Sequence, residues 1–231
     1  MNVAVISKII GDARSAGRHL LEPEAYLVLK ELGLTVPDHV YARSEAEVKE
    51  AAREIPKPLV MKIVSPDILH KSDVGGVELG VSSCEEALET WNRFMSIAGS
   101  LKADFRGALM VPQARPGLEM IVGAMRDEEF GPVVMVGPGG VLVEILRNPV
   151  FFTAPVDGGH VLPLLSEGVV GQLLGGFRGG RVLDKTALAA VVAAVSRLIG
   201  EFPDVAEVDL NPVVVYESGL AVLDARIMLK L

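Results

Sequence analysis

A single lysine interrupts an otherwise apolar run, Leu59-Val60-Met61-Lys62-Ile63-Val64, and this constrains the fold more than any other feature of the chain. The run follows Pro56 and Pro58 and precedes a polar loop, so it reads as a buried strand. An ammonium buried without an anionic partner is strongly disfavoured. Two arrangements satisfy this: a sheet edge with Lys62 in water, or an interior strand with an anion supplied at Lys62. The next loop, Leu69-His70-Lys71-Ser72-Asp73-Val74-Gly75-Gly76, sets an imidazole, an ammonium, a hydroxyl and two glycines together. Glycines allow backbone N–H groups to approach anionic oxygens and Lys71 adds charge, so the loop suits a phosphate. The pattern G-x-x-x-x-G-K-[ST] occurs nowhere in the chain, and glycine turns alone are weak evidence. Taken by itself, His70 reads more often as a loop histidine without a task. His19, His39 and His160 have no comparable surroundings.

A second constellation lies near the C-terminus, where Glu207-Val208-Asp209-Leu210-Asn211-Pro212 is followed across a turn by Leu223-Asp224-Ala225-Arg226. Strand alternation puts Glu207, Asp209 and Asn211 on one face, and the return strand can bring Asp224 beside them. Hard oxygen donors from two strands suit Mg²⁺. The same residues also suit a solvated sheet face with no ligand. The glycine turns Gly137-Pro138-Gly139-Gly140 and Phe177-Arg178-Gly179-Gly180 fit hairpin or cap geometry, and only Arg178 hints at an anion.

Patterning gives mixed α and β structure throughout. The opening residues form an ordered helix. A helix over Glu22 to Leu32 buries Ala25, Leu27, Val28, Leu29 and Leu32 and ends at Gly33. Ser44 with Glu47 opens a helix to Glu54, and Ser83 caps one to about Ala98. Strands are expected at Val77 to Val81, Ala108 to Gln113, Glu119 to Met125, Pro132 to Val136 and Val141 to Leu146. A helix over Lys185 to Ile199 precedes two last strands, Ala206 to Val215 and Leu220 to Ile227, and sequential antiparallel pairing is expected.

The length, 231 residues, suits one domain with two lobes. A net charge of −8 and the absence of any basic run argue against nucleic-acid binding. The first residues are too interrupted by charge for a signal peptide. The most apolar stretch, Pro132 to Leu146, is broken by glycines and carries Glu144, so it does not span a membrane. One cysteine, Cys84, excludes an internal disulfide and points to a reducing, cytoplasmic setting.

The ordered runs LLEPEAYLVLKELGLTVP, PLVMKIVSPDILHKSDVGGV, GPGGVLVEIL, AEVDLNPVVV and VLDARI together resemble the ATP-grasp β subunit of archaeal ADP-forming acetyl-CoA synthetase. They are similar, more distantly, to the succinyl-CoA synthetase β subunit. The resemblance implies an α+β ATP-grasp fold of two lobes with ADP or ATP in the cleft between them. Residues 1–20 then join the larger lobe, 21–110 form the smaller lobe with the phosphate loop, and 111–231 form the larger lobe with the metal site. Lys62 matches the lysine that reaches the phosphates; Leu69, His70, Lys71, Ser72, Gly75 and Gly76 form the phosphate loop. Val111, Gln113 and Ala114 match the adenine hinge and Glu119 the ribose carboxylate. Asn211 and Asp224 match the Mg²⁺ ligands, while Glu207, Asp209, Arg178 and Glu144 are further candidates. Asp209 stands where succinyl-CoA synthetase relatives have glutamate. The implied reaction is acyl-CoA + ADP + phosphate to acid + ATP + CoA through a phosphohistidine relay, with His70 a relay station. No stretch offers the CoA-binding or acyl-transfer domains that the family places on an α subunit, so an α partner, in an α2β2 assembly, is implied. The alternatives are a succinyl-CoA synthetase-like ligase subunit and a nucleotide-binding regulatory subunit without turnover.

Overall fold

The computed structural model describes residues 1–140, 149–176 and 179–231. They divide into two units, one of Leu21–Pro23 and Pro37–Arg115, the other of Met1–Leu20, Glu24–Val36 and Pro116–Leu231. Residues 24–36 thus group with the larger unit, whereas the sequence reading placed them in the smaller. The expected strand Val141 to Leu146, with Glu144, lies outside the described residues, as does Arg178.

The smaller unit is built on a four-stranded antiparallel sheet in the order β1 (Val40–Ala42), β4 (Gly107–Pro112), β2 (Leu59–Val64), β3 (Val77–Val81). Helices α3 (Glu45–Glu54) and α4 (Cys84–Leu101) complete it, and their apolar faces bury Val48, Ala51, Trp91 and Phe94 in one core with Leu59, Met61 and Ile63. Both helices start where local chemistry dictates. Ser44 Oγ accepts from the Glu47 amide while Glu47 reaches back to the Arg43 amide, and Ser83 Oγ accepts from the Glu86 amide. Lys62 pairs with Val77 on one side and Leu109 on the other, so β2 is an interior strand and the edge-strand alternative is excluded.

In the larger unit α1 (Val3–Ser15) and most of α2 (Glu22–Glu31) accompany a six-stranded antiparallel sheet. Its path runs β10 (Ala225–Leu229), β8 (Val205–Val215), β5 (Leu118–Asp127), β6 (Gly131–Pro138), β7 (Val150–Thr153), and β9 (Leu220–Val222) pairs with β8. On α2, Ala25, Val28, Leu29 and Leu32 are buried at helical spacing, but Leu27 is exposed and Tyr26 takes its expected place, its Oη donating to the Leu223 carbonyl at 3.0 Å. The helix ends as Gly33 and Leu34 donate to Lys30 and Leu29, the paired bonds of a Schellman cap. The short helices α5 (Gly158–Leu164) and α6 (Gly168–Leu174) follow β7, and α7 (Lys185–Glu201) packs Leu188, Val192, Val195 and Ile199 against β5, β6 and β8.

Two polar side chains fix α7. Arg126 donates to the carbonyls of Ile199, in its C-terminal turn, and of Phe202 and Val205, just past it. Asp184 caps its start, one oxygen accepting from the Ala187 amide at 2.9 Å and the other from the Gly219 amide at 2.8 Å. These bonds, that from Gly219 foremost, hold the Asp184 carboxyl below its ordinary range. The last expected strand, Leu220 to Ile227, is instead two strands, β9 and β10, broken at Leu223 and Asp224. The cause is Pro212 on β8, which has no N–H to give to the ladder.

Candidate functional site

Lys62 is buried, and the anion it requires is Glu22, the first residue of α2. Lys62 Nζ donates to Glu22 Oε1 at 2.5 Å, and Lys71 Nζ stands 3.1 Å from Glu22 Oε2. The Glu22 side chain is 2% exposed, Lys62 7% and Lys71 13%. One buried carboxylate therefore stands between two lysines. At low effective dielectric a buried ammonium interacts with an anion more strongly than a surface lysine would.

The loop between β2 and β3 is tied at both ends. At its start Ser65 Oγ accepts from the Asp67 amide, Asp67 Oδ2 accepts from the Asp104 amide at 2.7 Å, and Ile68 is buried in the core. At its end the Gly76 amide donates to the Lys71 carbonyl at 2.7 Å and the Gly76 carbonyl accepts from the Ile63 amide at 2.8 Å. A Cβ at Gly76 would lie 2.5 Å from Ile63 Cγ2, so only glycine lets the loop close on β2. Between these ties Leu69, His70 and Ser72 are exposed. The expected cradle of Gly75 and Gly76 amides is not open in this conformation. Both donate inside the loop, to Ser72 and Lys71, where residues 72–74 tighten into a 3-10 turn. Val111, near the end of β4, is buried. Gln113 is exposed, its amide donating to the Pro58 carbonyl and its Oε1 accepting from the Gly80 amide at 2.8 Å, and Ala114 is half-buried.

In the larger unit, Glu207, Asp209 and Asn211 lie on the accessible side of β8, while Val208 and Leu210 are buried on the other. Across β10, Arg226 pairs in register with Asp209 and its Nη2 donates to Asp209 Oδ2 at 2.9 Å, standing 3.9 Å from Glu207. A concavity of about 330 Å³ opens on this face, walled by Met125, Met135 and Phe151 from β5 to β7 and by Glu207, Asp209 and Asn211 from β8. It suits a ligand with a flat apolar part and a cation-bearing polar part. Glu119 is exposed on β5, its carbonyl accepting from the Gly139 amide at 2.7 Å. A side chain at Gly140, which has φ of +57°, would collide with the Glu119 carboxylate.

Between Met120 and Val122, β8 places Asn211 and Pro212 opposite Ile121 alone, a bulge of the kind that re-aims side chains beside functional sites. Among the described residues no group of three or more His, Cys, Asp or Glu could hold a metal ion unaided. Mg²⁺ needs less, since it takes one or two protein oxygens and fills its shell with water and substrate phosphate. The amide oxygen of Asn211 and the carboxylate of Asp224 have the donor chemistry it needs.

Sequence reasoning missed Glu22 and Arg226. The need of Lys62 for an anion was legible, but no pattern marked Glu22 as the carboxylate that supplies it. Arg226 was visible as the basic residue two positions after Asp224, which in a strand shares its face.

A family model described as an ATP-grasp domain matches residues 12–229, so the fold class is ATP-grasp, as the sequence led one to expect. The β subunit of acetate–CoA ligase (ADP-forming) I from Pyrococcus furiosus is 41% identical over 98% of this chain and 99% of the relative. The 4-hydroxybutyrate–CoA ligase (ADP-forming) of Nitrosopumilus maritimus is 37% identical over 98% of this chain, which spans 33% of that longer protein. The dinucleotide-forming acetyl-coenzyme A synthetase 1 of Ca. Korarchaeum cryptofilum, with coenzyme A, Ca-AMPCP and HgCl⁺, has a TM-score of 0.90 at 38% identity, covering 96% of this chain and 99% of that one. With coenzyme A and Mg-AMPPCP, and with its phosphohistidine segment pointing towards the nucleotide binding site, the same protein has a TM-score of 0.82 at 36% identity over 97% of this chain and 100% of that one. The chain belongs to the ATP-grasp β-subunit family of ADP-forming acetate–CoA ligases. Among the described residues no helix is long and apolar enough to cross a membrane.

Proposed function

We propose that this chain is the nucleotide-binding β subunit of an ADP-forming acyl-CoA ligase. With an α chain, in an α2β2 assembly, it converts acyl-CoA, ADP and phosphate to free acid, ATP and CoA in the cytoplasm. The observation that carries this reading is the exposed His70 beside the buried Lys62–Glu22–Lys71 cluster. Lys62 and Lys71 contact the phosphates, and His70 carries the phosphoryl group that reaches ADP.

In that step the N–P bond of phosphorylated His70 breaks as a β-phosphate oxygen of ADP forms the new O–P bond. The imidazole leaves neutral if its other nitrogen is protonated, so the charge to be stabilised lies on the transferring oxygens. Lys62 and Lys71 spread that charge. Asn211 and Asp224 would hold Mg²⁺, which when bound neutralises and orients phosphate oxygens. Glu119 takes the ribose, and Val111, Gln113 and Ala114 the adenine edge. Gly75 and Gly76 shape the loop; in the conformation described their amides are occupied. The acid's identity is set on the α chain, in keeping with relatives of similar identity whose names carry different acids.

The test is reconstitution. Acid release from acyl-CoA, dependent on ADP and phosphate, is expected from the two chains together and from neither alone. Release by this chain alone, or none from the pair across a panel of acyl-CoAs, overturns the proposal.

A further inference from the structure

The loop that carries His70 is held at Ser65–Ile68 and at Gly76 by hydrogen bonds. Between those points Lys71 pairs with Glu22, a residue 49 positions earlier that also holds Lys62. We infer that Glu22 is a positioning residue: its buried carboxylate anchors Lys71 against Lys62 and thereby sets where His70 stands. The carboxylate suits the task because each oxygen faces a different ammonium, 2.5 Å and 3.1 Å away, and because burial keeps water from replacing either lysine. A neutral amide of the same shape would keep the packing and lose the charge. A carboxylate one methylene shorter would keep the charge and lose reach. The catalytic consequence rests on the reading of His70 given above; the anchoring itself does not.

Limited trypsin digestion of the full chain tests the anchor directly, because cleavage after Lys71 requires the loop to open and its rate follows the open population. In Glu22→Gln, cleavage at Lys71–Ser72 is expected to accelerate about tenfold or more, because the buried ion pair that holds Lys71 is lost. Glu22→Asp should fall between Glu22→Gln and the native chain. Cleavage after Lys49, inside α3, serves as the control for global unfolding and should keep its native rate. An unchanged Lys71 rate, or equal acceleration at Lys49, overturns the inference. A second arm follows label from [γ-³²P]ATP onto the chain, where Glu22→Gln should take label more slowly than the native chain. A native chain that takes no label defeats the functional reading while the proteolysis result still decides the anchor.

Discussion

Asn211 on β8 and Asp224 between β9 and β10 are opposed positions of one antiparallel register. Val213 pairs with Val222 and Leu210 with Ala225, which leaves Asn211 across from Asp224 and Pro212 across from Leu223. The gap in the return strand and the bulge opposite Ile121 thus fall at the same place, and the side chains of an opposed pair share a face.

Loss of either oxygen donor should therefore raise the Mg²⁺ concentration needed for turnover. With the α chain present, Asn211→Ala and Asp224→Ala are each expected to shift half-saturation by about tenfold or more, Asp224→Ala further because it also removes charge. The measurement is turnover against Mg²⁺ at fixed ADP. Curves that overlay the native enzyme would remove both residues from the metal site.

The bridge at Glu22 makes Lys62 a structural residue as well as the proposed phosphate contact. Replacing Lys62 by Met takes one ammonium from the buried Glu22 carboxylate, and removing one partner of a buried pair costs about 3–5 kcal/mol. Because Lys71 remains, a loss near the lower end is expected in urea unfolding. Adding Glu22→Gln to Lys62→Met should recover part of it, since a neutral amide needs no counter-ion. If the double variant is less stable than the sum of the single changes, the bridge is not what ties these residues together.

Short-range signals made much of the fold legible. Ser44 with Glu47 and Ser83 with Glu86 announce helices through bonds three residues long, and the alternation of β8 shows which face carries Glu207 and Asp209. The helices α5 and α6 left little trace, because each is seven residues long, too short for a helical period to emerge, and glycine opens both. Glu22 was hidden for a different reason. Its partner Lys62 lies 40 residues away, and no local pattern marks a contact that only tertiary packing creates. The break at Leu223 and Asp224 arises likewise from Pro212 on the neighbouring strand, not from the broken segment itself.

Asp184 links the start of α7 to the turn at Gly219, and its carboxyl is held below its ordinary range by the amides it accepts from. A depressed folded-state value means that the bonds contribute fully above the unfolded carboxyl's pKa and are lost as pH falls through the folded one. Asp184→Ala is expected to cost about 1–2 kcal/mol at pH 7, as for a lost helix cap. Melting curves of the native and Asp184→Ala chains should begin to converge as pH falls below the unfolded aspartate's value of about 3.9. A gap that stays constant from pH 7 to pH 3 would assign the effect to packing.

The last prediction concerns His70. A neutral imidazole attacks phosphorus without first losing a proton, and the phosphoramidate formed retains enough transfer potential to pass its group to ADP. Ser72, exposed two residues on, would form a stable ester and act as a trap. Position favours the histidine too: it is exposed in the loop, and the next residue, Lys71, joins the buried cluster. Incubation with [γ-³²P]ATP and Mg²⁺ is expected to give an acid-labile, base-stable label. His70→Ala should abolish that label and, with the α chain, reduce turnover by several orders of magnitude, as loss of a nucleophile does. Ser72→Ala should keep the label, because a hydroxyl has no part in the relay. Label of the same stability that persists in His70→Ala, or full turnover by that variant, would leave His70 a phosphate contact and place the relay on another side chain.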